Sequence, residues 1–142
     1  RQMCIRDSNN IDFYDDYAHH PTEIKVVLQG VKKVFNKYEK VCIFQPHRVS
    51  RLKDLKKEFT YAFRDADTVI LCPIYTAGEK MSLGFSYEDF AKKIIKNSDV
   101  KLFMVENNNQ LAKYLKQNMY GKKIVVGMGA GSISRWLREM KF

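Results

Sequence analysis

Five short, mostly apolar runs recur along the chain, each followed by a longer stretch with helical periodicity. That alternation constrains the fold more than any other feature. The runs fall at 11–15, 41–44, 68–72, 102–105 and 124–126. Between the first two, Ile24, Val27, Leu28, Val31, Val34 and Phe35 recur at helical spacing over 21–38, the stripe of a helix buried on one side. Leu52, Leu55, Phe59, Ala62 and Phe63 do the same over 51–64. Further helices are expected at 87–97, from a cap at 107–109 to 119, and at 133–140. Short apolar strands alternating with helices predict an α/β fold: a doubly wound, mostly parallel, Rossmann-like sheet of five to six strands with helices on both faces. Right-handed crossovers then gather every strand-to-helix turn on one edge, where ligands of such sheets bind.

Chemistry concentrates in those turns. The first reads D-D-Y-A-H-H-P-T-E over 15–23. Pro21 suits the first turn of a helix, where its missing N–H costs nothing, and Glu23 suits the positive helix end. The second turn holds Gln45, Pro46, His47, Arg48, Ser50 and Arg51; the third holds Tyr75, Gly78 and Glu79. Arg48 and Arg51 are three apart at a helix start and can share a face. Guanidinium forks match carboxylates and phosphates, so an anion between them is the functional expectation. The competing one is an ion pair with Asp15 or Asp16.

Adjacent His19 and His20 lack the H-x-x-x-H spacing of a zinc pair, and no cysteine joins them. No metal site is expected; one imidazole should face a ligand and the other bond within the turn. Gly127, Gly129 and Gly131 do not reproduce G-x-G-x-x-G after a first strand. They suit a tight turn or an anion nest. No G-x-x-x-x-G-K-[ST] loop occurs.

The 142 residues suffice for one domain. The net charge of +9 comes from lysines scattered over several helices. A nucleic-acid binder gathers its charge on one face, so no nucleic-acid partner is expected. No apolar run approaches the length of a membrane span, and Cys4, Cys42 and Cys72 form no C-x-x-C pair. Cys42 and Cys72 fall in strands and read as buried thiols of a cytoplasmic protein. Residues 1–8, R-Q-M-C-I-R-D-S, lack periodicity and are expected to be a non-native or disordered leader to a domain at 9–142.

Together, D-D-Y-A-H-H-P-T-E, F-Q-P-H-R-V-S-R, I-Y-T-A-G-E and M-G-A-G-S-I resemble, in order and spacing, the C-terminal domain of the Mur ligase family, in its branch that adds L-alanine to UDP-N-acetylmuramate. The resemblance implies a bacterial, cytoplasmic enzyme of peptidoglycan synthesis. ATP converts the lactyl carboxylate to an acyl phosphate, alanine's amine attacks it, and phosphate leaves. It implies an N-terminal UDP-sugar domain and a central ATPase domain that binds most of the ATP and Mg2+; neither occurs in this sequence. The fragment alone is then expected to be inactive. By motif, Arg48 and Arg51 hold the alanine carboxylate, Tyr17 and His19 line the pocket, with His19 the catalytic residue, and Asp16 bonds the ATP ribose. Glu79 and Ser132 are assigned only to the interface or loop structure. The alternative is a stand-alone Rossmann-like module binding a nucleotide or anion.

Overall fold

A computed structural model describes residues 2–8 and 11–140. Its elements are β1 (Gln2–Ser8), β2 (Ile11–Asp16), α1 (Pro21–Val34), β3 (Glu39–Phe44), α2 (Val49–Thr60), β4 (Thr68–Leu71), α3 (Tyr87–Ser98), β5 (Lys101–Met104), α4 (Asn108–Asn118), β6 (Lys123–Met128) and α5 (Ile133–Glu139). They build one six-stranded sheet in the order β1-β2-β6-β3-β4-β5. β2 to β6 run parallel, as the alternation predicts, and β1 pairs antiparallel with β2.

Residues 2–8, expected as part of a non-native or disordered leader, are paired with the sheet in this structure. Gln2–Ser8 is a strand, with Gln2 opposite Asp16 and Ser8 opposite Ile11. Periodicity failed to mark it because an edge strand needs no buried apolar face of its own; it is held through main-chain bonds to β2. The expected domain limits at 9 and 142 lie outside the described residues.

Two cores, one on each face, follow from the period of two along each strand. On β3, Cys42 and Phe44 face Ile24, Leu28, Leu52, Phe59, Phe90 and Ile94 of α1, α2 and α3. Val41 and Ile43 face Leu111, Leu115, Ile133 and Leu137 of α4 and α5. Cys42 and Cys72 are buried thiols that belong to opposite cores. Burial pushes Cys72 up to about 12 and Cys42 higher still, so neither is a ready nucleophile.

Helix limits follow from caps. Ser86 and Asn107 accept from the N–H groups of Asp89 and Gln110, starting α3 and α4. α1 stops at Val34 rather than 38, because Phe35 leaves the helix to pack between the rings of Tyr14 and Tyr38. α2 starts at Val49 and stops at Thr60 rather than 64. There the end of α3 claims it: the Ser98 hydroxyl donates to the Thr60 carbonyl at 2.6 Å, and Asn97 Nδ2 donates to Thr60 Oγ1 at 2.9 Å.

The order places the site. Helices after β2 and β3 lie on one face, while the helix after β6, which sits between them, lies on the other. The connections diverge there, opening a crevice beyond the carboxyl ends of β2, β6 and β3.

Candidate functional site

The first turn is built from hydrogen bonds that its own sequence supplies. His20 is the N-cap of α1: its Nδ1 accepts from the Thr22 N–H at 3.2 Å, while Glu23 Oε1 accepts from the N–H of His20 at 3.1 Å. This is a capping box with histidine in the usual serine position. Burial pushes the Glu23 carboxyl up, but the His19 and His20 N–H groups and rings outweigh it and hold the group below 4.5.

His19, by contrast, turns away from the cap. Its Nδ1 lies 2.7 Å from the Tyr17 carbonyl oxygen. A carbonyl only accepts, so Nδ1 carries the proton and, in the neutral ring, Nε2 keeps a free lone pair. Tyr17 is 67% exposed, whereas Asp16 is 3% exposed. Asp16 Oδ1 accepts from the Ala18 N–H at 2.8 Å. Asp16 and Tyr17 line a cleft of about 300 Å3 that continues along Thr22, Glu23 and Val26 of α1.

The second turn meets the third in a short parallel bridge between His47 and Tyr75. The Tyr75 N–H donates to Pro46 O, and the Arg48 N–H to Tyr75 O, both at 2.8 Å. The His47 and Tyr75 rings stack at 5.6 Å, and His19 meets His47 edge-on at 5.9 Å. Arg51 folds back so that its NH1 donates to His47 Nδ1 at 3.2 Å and His47 O at 3.3 Å. Burial first, then the Arg51 charge, push the His47 imidazole below 6.5. It is neutral at pH 7, with its proton on Nε2.

Arg48 takes no part in that packing. It is exposed, sits at the N-cap of α2 with φ 73° and ψ 133°, and its guanidinium makes no hydrogen bond or ion pair among the described residues. The left-handed N-cap means that Arg48 and Arg51 do not extend one helix face, as simple spacing suggests. Nor does either pair with Asp15 or Asp16. Asp15 accepts instead from Ser134 Oγ and from Arg138 NH2 of α5, the latter at 3.2 Å.

The glycine run serves packing. A Cβ on Gly131 would strike Tyr75 and lie 2.8 Å from Gln45 Oε1; one on Gly129 would lie 2.9 Å from Gln45 O. Gln45 Oε1 accepts from the Ile133 N–H at 3.1 Å, and its Nε2 donates to Ser132 Oγ at 2.9 Å. These close approaches fit the tight-turn reading, and Gln45 occupies the Ile133 N–H at the start of α5. Glu79 acts similarly at α2, accepting from Ser50 N at 3.0 Å and Ser50 Oγ at 2.7 Å. Those bonds hold its carboxyl below 4.5.

The structure thus brings His19, His47, Arg51 and Tyr75 together, with Arg48 on the adjoining backbone and Asp16 and Tyr17 on the neighbouring cleft. His47, Tyr75 and Gln45 were visible in the motifs as turn residues, but sequence gave them no role. Among the described residues, no three His, Cys, Asp or Glu side chains converge to hold a metal ion. No described helix is long and apolar enough to cross a membrane.

Residues 1–131 match the family described as Mur ligase, glutamate ligase domain. The chain is 67% identical over 129 residues to the UDP-N-acetylmuramate–L-alanine ligase of Pelagibacter ubique, covering 91% of this chain and 28% of that protein. It spans little more than a quarter of the curated relatives it matches. The crystal structure of the UDP-N-acetylmuramate–alanine ligase of Thermotoga maritima superposes with a TM-score of 0.71 at 30% identity, covering 93% of this chain and 26% of that one. A domain of a ligase from Haemophilus ducreyi, at 18% identity, shares the fold over 99% of this chain and 96% of its own, with a TM-score of 0.71.

Proposed function

The chain belongs to the Mur ligase family through its glutamate ligase domain, and on that premise we propose that it is the amino-acid-delivering domain of an ATP-dependent ligase joining L-alanine to UDP-N-acetylmuramate in bacterial peptidoglycan synthesis. The observation that carries this reading is the Arg48 guanidinium, which makes no hydrogen bond or ion pair among the described residues, next to the paired rings of His19 and His47 at the carboxyl ends of β2 and β3. A zwitterionic amino acid needs a fixed cation for its carboxylate and a neutral acceptor for its ammonium.

Arg48 binds the alanine carboxylate, with Arg51 as its second partner. His47 is neutral beside them and competes for neither charge. Tyr17 and His19 line the amine end of the pocket. His19 Nε2, free because Nδ1 is committed to Tyr17 O, takes a proton from the ammonium and leaves an amine able to attack. ATP supplies the activation by turning the lactyl carboxylate into an acyl phosphate. Attack forms the new C–N bond, and the tetrahedral intermediate expels phosphate. The domain's contribution is to hold the amine in line and exclude water when it closes over its partner domains.

Asp16 supports the ATP assignment through the cleft it lines with Tyr17. A carboxylate in the wall of such a cleft can accept from a ribose hydroxyl. We assign Mg2+ and the phosphates to a central domain, and the UDP-sugar to an N-terminal one; the whole enzyme works in the cytoplasm. Alanine offers only a methyl group to recognise, so discrimination from glycine and serine is modest.

The test is phosphate release by the full-length ligase that carries this domain. Release that requires both L-alanine and UDP-N-acetylmuramate is expected. Release independent of alanine, or tight nucleotide binding by residues 1–142 alone, would favour a free-standing binding module.

A further inference from the structure

We infer that Glu79 is a positioning residue for the amino-acid carboxylate, holding Arg48 in its left-handed conformation through the first turn of α2. The inference rests on the assignment of Arg48 to that carboxylate. Arg48 has φ 73° and ψ 133°, a region that residues with a side chain seldom adopt unless their surroundings over-determine it. Two braces do so here, and both come from the loop between β4 and α3. Tyr75 brackets the residue by main-chain bonds, accepting from Arg48 N and donating to Pro46 O. Glu79 fixes the other side by taking both the N–H and the hydroxyl of Ser50. The turn that allows one loop to supply both braces runs through Ala77 at φ 53° and Gly78 at φ 88°, and the Glu79 N–H closes it onto Thr76 O at 3.0 Å.

The chemistry gives this role a sign that a plain electrostatic role lacks. Glu79 occupies N–H groups at the start of α2, so the helix end is not left for the substrate. A second carboxylate near the site opposes an incoming one. If charge were its only effect, removing Glu79 would tighten alanine binding. As a brace, its removal weakens binding, because the Arg48 guanidinium loses its fixed origin.

The experiment uses the full-length ligase. Glu79→Ala should raise KM for L-alanine about tenfold, the scale of one lost charge-assisted hydrogen bond, with KM for ATP unchanged. Glu79→Gln should recover most of the loss, since its amide oxygen still accepts from Ser50 N. Ser50→Ala, which keeps that N–H, should fall between. Hydrogen exchange at the Ser50 amide should quicken in Glu79→Ala while β3 and β4 stay protected, separating an opened cap from general unfolding. An alanine KM that is unchanged or lower in Glu79→Ala, or one that rises in parallel with that for ATP, would overturn the inference. Arg48→Ala measured alongside separates the two levels. If it leaves alanine KM unchanged, the assignment of Arg48 fails; if it raises KM while Glu79→Ala does not, only the brace fails.

Discussion

The Arg48 N–H donates to the Tyr75 carbonyl oxygen at 2.8 Å, pinning a side chain onto a backbone with φ 73°. A residue with a Cβ in that region stores about 1–3 kcal/mol. Glycine has no such penalty, although it loses more entropy on folding. Arg48→Gly should therefore be more stable than Arg48→Ala by about 1 kcal/mol in urea unfolding, although both lack the guanidinium. An alanine variant more stable than the glycine one by the entropy difference alone, about 0.5–1 kcal/mol, would mean that the conformation carries no strain.

His47 offers a pH test. Burial and, after it, the Arg51 charge push its pKa below 6.5. The unfolded chain therefore takes up its proton at higher pH than the folded one. The stability tied to neutral His47 is present above 6.5 and is lost as pH falls through the lowered folded value. An NMR titration of the ring should give a midpoint below 6.5, moving part of the way back in Arg51→Met. A full return would assign the whole shift to Arg51 and none to burial.

Gly131 couples the last strand-to-helix turn to the site. Its missing Cβ leaves room for the Tyr75 ring and for Gln45 Oε1. Gly131→Ala should cost about 1–3 kcal/mol by overpacking, read by thermal unfolding. It should also raise alanine KM in the full-length enzyme, because Tyr75 stacks on His47 and brackets Arg48. A stable variant with ordinary kinetics would show that the turn yields freely.

Much of this was legible before any coordinates. Strand and helix periods differ, so the five parallel strands and their helices stood out, and topology alone brought the polar turns to one edge. The start of α1 at Pro21–Glu23 was readable because such signals are local, although His20 was not marked as its cap. β1 was not, since an edge strand is specified by its neighbour's free main-chain groups rather than by its own pattern. The divided duties of the two arginines were hidden as well. Whether a guanidinium turns in to His47 or stays free depends on the φ of Arg48, which Tyr75 and Glu79 fix from about 30 residues away in sequence. Asp15 illustrates the same limit: its partners, Ser134 and Arg138, are brought to it only by the pairing of β2 with β6.

The most direct measurement is steady-state kinetics of Arg48→Ala in the full-length ligase, with L-alanine and ATP each varied. Removing a charge-assisted carboxylate contact should raise KM for L-alanine by about one to two orders of magnitude and leave that for ATP within about twofold. Equal increases for the two substrates, or none for alanine, would contradict the assignment of this turn to the amino-acid carboxylate.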